Sequence, residues 1–563
     1  MIKRFLKTLS KVAWFLPGFL LWASYPPISE RTDVFFALAP LIWFARNRSP
    51  RESFQLWFLN GFLFWVGTLA WMPAIVKNGG PWYLVVLGWG ALAAYCALYF
   101  GAFGYLSARI WDKTKDAYWK RLLAILIAEP ILWAGLEILR SRLMGGFAWN
   151  QLGVAAHNSG FGAGSSLGGV YVLSIMVILV NGTIASIAER VLAPWLKKRK
   201  KCVELGEETI EIDEKDDVQS TKSEETNIPR WARSVETILP MLIIFALHSC
   251  GKTYIPKYTS ENSKSLSVGL IQRNFPCAFK AADKEPWVVY EELLSRVVSR
   301  SPDLIVLGES AFSEFNMIGS WQCEEWARWM MKKSNAKGVL GGGCRIDKDD
   351  TYNSAALYQY DKIDPKKLSL QVYDKVHLVP FGEYIPGDKL IPALQKLAPV
   401  GSCRSGEVKL LDFEGIKLGV AICFEDTDSA LIRKFAEMGA DALIFITNDS
   451  WFSESDETVQ HVWQATPRAS ETALPIIRVG NSGVTGVYYP DGSSWWLGGD
   501  KKGEYLLDKP GCGYARVAIP RQSAKILTPY VKYGDKPLLI LFMLVLLFAI
   551  NHRFLNIWYN LRQ

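Results

Sequence analysis

The chain has 563 residues, is half apolar and only 21% charged, and carries 23 Trp, 28 Phe and 22 Tyr. That leaves room for more than one domain and is too aromatic for an ordinary soluble protein. Its net charge of +8 is gathered into short Lys/Arg clusters between apolar blocks, which is how membrane proteins carry basic charge and argues against a nucleic-acid partner.

In chain order, the first apolar segments are short, 12–27 and 34–46, and Pro17, Pro26 and Pro27 interrupt or bound the first. Lys3, Arg4 and Lys7 ahead of it would suit a signal peptide, but no A-x-A site follows and apolar blocks continue, so the two segments are read as a membrane hairpin. Segments 54–76, 82–108, 122–140, 170–192, 235–252 and 536–553 each approach the length of a membrane span, giving eight in all.

The connections on one side hold 17 basic residues, including Lys3 to Lys11, Arg46 to Arg51, Arg109 to Arg121 and Lys197 to Lys201; the short loops opposite hold only Arg31, Lys77, Arg140 and Arg142. The richer side is cytoplasmic by the positive-inside rule. The predicted organisation is therefore a membrane domain at 1–196, a charged cytoplasmic linker at 197–234, a seventh span at 235–252, an extracytoplasmic domain at 253–535, and a last span with a cytoplasmic tail at 536–563. Within the linker, residues 202–234 are acidic and polar and bury too little to offset chain entropy, so they are expected to be disordered.

From 265 to 520, short apolar runs alternate with helical stretches, the pattern of an α/β layered domain. Strands are predicted at 266–272, 303–308, 337–341, 354–359, 368–374, 416–423, 442–447, 475–479 and 513–519, and helices at 285–299, 323–334, 428–438 and 458–473. Three residues with chemical potential close such runs: Glu309 after PDLIVLG, Lys375 after LSLQVYD and Cys423 at the end of GVAIC. A thiol at a strand-to-helix turn is exposed and gains from helix N-terminal amides. A carboxylate can take its proton, and an ammonium can hold the oxyanion of a tetrahedral intermediate. Taken singly, such a Cys is more often a small buried residue, and such a Glu or Lys a solvated strand-end charge. No His/Asp partner obviously competes: His377 and His461 are the only histidines of this region, and a papain-like pair would need one of them.

Nine cysteines without a CxxC pair or zinc spacing leave disulfides open outside the membrane, and the odd count leaves one thiol unpaired in a monomer. GSSLG at 164–168 matches G-x-S-x-G but follows no strand, and GKT at 251–253 lacks the first glycine of a P-loop, so both are read as chance. There is no HExxH and the histidines are sparse; neither metal nor cofactor is expected.

At Glu309, Lys375 and Cys423 the sequence resembles the nitrilase superfamily, whose members carry a Glu–Lys–Cys triad in an αββα sandwich. Within it, YNSAALY (352–358), YDKVHLVPFGEYIP (373–386), ICFED (422–426), TNDSWF (447–452), RASE (468–471) and NSGVTG (481–486) are similar to the apolipoprotein N-acyltransferase family. GGFAWNQLG (145–153) and GGVYVLS (168–174) extend the similarity into the helical half.

The resemblance implies Glu309 as general base, Lys375 as cationic stabiliser and Cys423 as nucleophile, with Glu383 and Glu425 as further active-site carboxylates. Phe424 stands where the family often has Tyr, keeping an aromatic packing role without the hydroxyl, and Trp287 answers to a tryptophan in the loop after the first outer strand. It also implies a monomeric inner-membrane enzyme of bacteria with its catalytic domain on the periplasmic side. Its donor would be a membrane phospholipid and its acceptor a diacylglyceryl-modified apolipoprotein, joined through a Cys thioester. A membrane-tethered amidase passing the acyl group to water is the alternative. The Pro-containing segment 381–407 would serve as a mobile lid or be an ordinary surface loop.

Overall fold

The computed structural model describes residues 13–46, 48–204, 230–276, 285–313, 317–385, 387, 403–498 and 504–550. Most of the linker at 197–234 and, with Pro386, Pro392 and Pro399, the middle of the expected lid lie outside them.

The apolar blocks of the first 252 residues are helices. Pro50–Thr68 starts at a capping box in which the Ser49 side chain accepts from the Glu52 amide and the Glu52 carboxylate accepts from the Ser49 amide. It packs along Trp82–Thr114 by setting aromatic rings into glycine notches: a Cβ on Gly61 would stand 2.6 Å from Phe100, and one on Gly101 2.7 Å from Phe54. Small residues thus let helices approach where lipid supplies no hydrophobic drive.

Four described helices are long and apolar enough to cross a membrane, Trp82–Thr114, Tyr118–Arg140, Val170–Val191 and Ser234–Lys252, and Lys536–Ile550 is apolar but 15 residues long. The expected count of eight is therefore not reached on length and hydropathy. Segments 12–27 and 34–46 contain helices of only eight residues, Leu16–Ala23 and Ala39–Arg46, and Pro50–Thr68 opens on a polar turn. Two cations counted as loop charges are also buried. Arg46 pairs with Glu129 at 2.8 Å between helices, and Arg140 donates to the Phe147 and Trp149 carbonyls. The charge asymmetry survives without them.

Residues 263–520 form two six-stranded sheets, ordered β12-β1-β2-β3-β4-β5 and β11-β10-β9-β8-β7-β6. In the first are β1 (Ser263–Gln272), β2 (Leu304–Leu307), β3 (Gly338–Asp347), β4 (Asp350–Tyr360), β5 (Leu368–Asp374) and β12 (Gly511–Pro520). In the second are β6 (Leu410–Phe413), β7 (Ile416–Ile422), β8 (Ala442–Thr447), β9 (Ile476–Gly480), β10 (Gly486–Tyr488) and β11 (Ser494–Trp496). Their apolar faces form one core: Leu270, Val306, Leu340 and Leu357 lie in the same buried cluster as Val420, Ile444 and Ile477. Helices Pro286–Val297 and Trp321–Ser334 cover the outer face of the first sheet. Helix Ser429–Glu437 lies on the second, where Phe435 reaches Gly419 of β7. This is the αββα sandwich expected from the resemblance.

Every predicted strand of the region is present, the one expected at 337–341 running on to Asp347; the helix expected at 458–473 is two, Glu457–Ala465 and Pro467–Thr472, and β6, β10 and β11 are additional. Cys96, Cys250, Cys344, Cys403, Cys423 and Cys512 form no disulfide among the described residues.

Candidate active site

The strand directions decide which residues meet. β2 and β3 are parallel, and β4 and β5 each reverse direction, so β2 and β5 finish at the same end of the first sheet. That places Glu309, two residues past β2, and Lys375, just past β5, on one edge. β7 of the facing sheet ends at Ile422, followed by Cys423, whose φ of 54° lies in the left-handed region and turns the chain sharply into the 3-10 turn Cys423–Thr427. The sheet edges approach closely because Gly308 has no side chain: a Cβ there would overlap the Asn481 amide. The Glu309 and Asn481 amides both donate to the Thr447 carbonyl, at 3.2 and 2.7 Å.

The structure brings Glu309, Lys375, Glu383 and Cys423 together, with Glu309 and Lys375 buried, Glu383 and Cys423 half-buried, and the charges of the first three all acting on the thiol. Lys375 Nζ donates to Glu383 Oε1 at 2.9 Å with its side chain 1% exposed. Asn353 Nδ2, on β4, donates to Glu309 Oε1 at 2.7 Å and to Glu383 Oε1 at 2.6 Å, so a single amide fixes both carboxylates. Glu383 Oε2 accepts from the Val379 amide at 2.8 Å.

Burial pushes the Cys423 thiol well up, the Glu309 charge adds to this, and the Lys375 ammonium opposes it. Burial also raises Glu309, against the pull of Lys375. Burial works against the Lys375 charge, but Glu383, Cys423 and Glu309 outweigh it and hold the ammonium above its ordinary range. For Glu383, burial is outweighed by Lys375 and the donated hydrogen bonds, and its carboxyl sits below the usual range. Proton affinity is thus raised at the thiol, at Glu309 and at Lys375, and lowered at Glu383. A carboxyl, a thiol and an ammonium whose charges act on one another make this cluster the candidate site.

Glu425 is fully buried. Oε1 accepts from the Val376 and His377 amides at 2.7 and 3.0 Å and from the Tyr373 hydroxyl at 3.0 Å, and Oε2 accepts from the Ile422 amide at 2.8 Å. It ties the Cys423 turn to the segment that carries Lys375. Burial raises its carboxyl to about 7 despite these donors.

Phe424 packs outward against the helical half. Its ring is near-parallel to Phe147 and Trp149, with centroids at 6.2 and 6.4 Å, and His377 meets it edge-on at 5.6 Å. An aromatic packing role is thus what the structure gives it. Trp287 is 53% exposed in the first turn of Pro286–Val297, and among the described contacts none joins it to the cluster.

Sequence reasoning missed Asn353 and a second buried group of Asp426, Asp449, Glu457, His461 and Arg478. The signals were present as a polar residue within β4 and an Arg inside the apolar run IIRVG of β9. Asp449, Glu457 and His461 offer donor atoms within 4.8 Å of one another, the spacing of a cation site. Arg478 stands 3.7 Å from Asp449, and the imidazole is already paired, so the charges there are internally balanced. His377 bonds Asp428 Oδ2 at 3.0 Å and the Gly145 carbonyl at 2.7 Å; neither histidine is arranged as a base for Cys423.

Two family models match the chain, the apolipoprotein N-acyltransferase N-terminal domain over residues 17–183 and carbon-nitrogen hydrolase over 268–500. An apolipoprotein N-acyltransferase of Geobacter metallireducens is 29% identical over 84% of this chain and 84% of its own length. One from Photobacterium profundum is 25% identical over 89% of this chain and 87% of its own. Among solved structures, the NitN amidase of Neterenkonia sp. AN1 matches 48% of this chain and 98% of its own at 16% identity and a TM-score of 0.34. A membrane-type helical half matched by the first model, followed in one chain by a carbon-nitrogen hydrolase sandwich, places this chain in the apolipoprotein N-acyltransferase family.

Proposed function

We propose that the chain transfers a fatty acyl group from a membrane phospholipid to the N-terminal amine of diacylglyceryl-modified apolipoproteins, in two steps at Cys423. The observation that carries this reading is the Cys423–Glu309–Lys375 cluster in a sandwich docked on apolar helices. In the first step the Glu309 carboxylate takes the thiol proton and the Cys423 sulfur attacks the ester carbonyl. The oxyanion forms against the Lys375 ammonium. Collapse breaks the ester C–O bond, the leaving alkoxide takes the proton back from Glu309, and a lysophospholipid departs from a thioester. In the second step the acceptor amine attacks the thioester, Glu309 takes a proton from nitrogen and returns it to the departing sulfur, and an amide results. The raised proton affinity of Glu309 suits a group that must hold that proton between transfers.

Both substrates keep their acyl chains in a bilayer, which explains a hydrolase sandwich fixed to membrane helices. The basic-residue asymmetry supports a bacterial inner-membrane location with the sandwich on the outer side, and Glu383 and Asn353 support the triad. The test is mass spectrometry of the Cys423 peptide after incubation with phospholipid, followed by addition of a diacylglyceryl peptide. Acyl on Cys423 that then moves to the peptide amine is expected. Acyl released only as free fatty acid would establish transfer to water instead, and an unmodified Cys423 would end the thioester reading.

A further inference from the structure

Helix Glu457–Ala465 is buried on both sides. On one face His461, 2% exposed, bridges two carboxylates. Its Nε2 lies 3.0 Å from Asp426 Oδ1 and its Nδ1 3.0 Å from Asp449 Oδ1. Asp426 belongs to the turn that begins at Cys423, and Asp449 follows β8, whose last residue Thr447 accepts the Glu309 amide. Arg478 of β9 completes the clamp, with Nε 3.4 Å from Asp426 Oδ2 and a terminal nitrogen 3.7 Å from Asp449 Oδ2. Glu457, one turn before His461, faces its Nδ1 at 3.6 Å.

Burial raises the Glu457 carboxyl well above its ordinary range, and the Asp449 charge adds to this. Burial disfavours the imidazolium, but Asp426 and Asp449 together outweigh it and hold His461 up at about 10.

The adjoining flank of the helix is bonded to the membrane half, whose Trp149 ring also lies 5.6 Å from the His461 ring. Gln460 Oε1 accepts from Trp149 Nε1 at 2.9 Å, and its Nε2 donates to the carbonyls of Pro26 and Thr68 at 3.1 and 3.0 Å. Gln464 accepts from the Asn150 amide at 3.0 Å and donates to Asn150 Oδ1 at 2.6 Å. His461 therefore stands on a post fixed to the helices below.

We propose that His461 is a positioning residue for acyl transfer: bridging Asp426 to Asp449, it holds the Cys423 turn in register with Glu309 and Lys375. This role rests on the proposed function for its chemistry but on the geometry alone for the placement of the thiol. A nucleophile displaced by about 1 Å loses on the order of 100-fold in rate.

The experiment uses the full-length protein in lipid nanodiscs. His461→Gln is compared with wild type for acylation of Cys423 by phospholipid, and for alkylation of Cys423 by iodoacetamide from neutral to alkaline pH, read on the Cys423 peptide. The expected result is acylation slowed by about 30-fold or more at an apparent phospholipid KM within about threefold of wild type. With it, the alkylation midpoint moves upward, because the thiolate is drawn away from Lys375. A thermal melt monitors folding. Should His461→Gln not fold, the Asp426→Asn/His461→Gln double variant removes the bridge without leaving an unpaired charge and carries the same expectation. Acylation and alkylation both within about twofold of wild type in a folded variant overturn the proposal. If wild-type Cys423 takes no acyl group, the transferase reading falls, and the alkylation profile still decides the role of His461.

Discussion

Asn353→Ala tests whether one amide organises the Glu309 and Glu383 carboxylates. Asn353 donates to Glu309 and Glu383 at 2.7 and 2.6 Å, and a neutral donor on a charged acceptor contributes about 1.5–3 kcal/mol per bond. Water entering the vacated space recovers part of this, leaving a deficit of about 2–3 kcal/mol, or roughly 30- to 150-fold in the rate of Cys423 acylation. The backbone of Asn353 continues to accept the Lys375 amide at 2.8 Å, so the strand end should hold. Burial is the main influence on Glu309 and raises it, whereas the Asn353 bond lowers it. Removing the bond therefore raises Glu309 further. The acid limb of the pH–rate profile should move to higher pH, with the variant losing most at low pH and recovering part of its deficit as pH rises. Single-turnover acylation with a fluorescent phospholipid across that range is the assay. Rates within threefold of wild type with an unmoved acid limb would refute the role given to Asn353.

Cys423→Ala should abolish the acyl-enzyme while shifting the thermal midpoint by only a few degrees, because the turn is held by Glu425 and not by the thiol; a calorimetric scan beside the acylation assay checks both. Lys375→Met should slow acylation by about 10²–10³, the loss found for a missing oxyanion partner. The same variant should move Cys423 alkylation to higher pH, since Lys375 counters the effects of burial and Glu309 on the thiol; an unshifted alkylation profile would contradict this. Glu425→Ala strands the Val376, His377 and Ile422 amides, at about 1–3 kcal/mol each before water relieves them. The expected fall in melting temperature is on the order of 10 °C at about 2–4 °C per kcal/mol, and a melt within 2 °C of wild type would count against Glu425 as a strut.

The regular part of the fold was legible because its signals are local. Runs such as ALIFIT and IKLGVAIC are buried on both faces between core and covering helices, so they read as continuous apolar strands. β10 and β11 have three residues each and β6 four, too short for a period to show. Glu309, Lys375 and Cys423 were readable as strand ends, but their convergence was not. It depends on β4 and β5 each reversing direction and on Gly308 admitting the facing sheet, both long-range facts. Arg46 misled the charge count for a related reason: sequence shows a cation beside a loop, while its partner Glu129 lies 83 residues on.

The same long-range logic explains why the sandwich carries so much buried charge next to a membrane. An isolated ion in an apolar interior is costly, and a pair stripped of one partner is strongly destabilising. Glu471 shows how the balance is met at the junction. One Glu471 oxygen accepts from the Val170 amide at 2.7 Å, at the start of a candidate span, and from Arg468 at 3.1 Å; its other oxygen is 3.0 Å from Arg468 Nε. Burial still raises its carboxyl to about 7. Gln460, Gln464 and Glu471 thus make the helical half supply hydrogen-bond partners that the catalytic half cannot supply itself. A sandwich cut away from its helices would expose or orphan those groups, and its nucleophile turn would lose the post on which His461 stands. Docking on the membrane helices is accordingly part of how this active site is built, as well as how it reaches lipid.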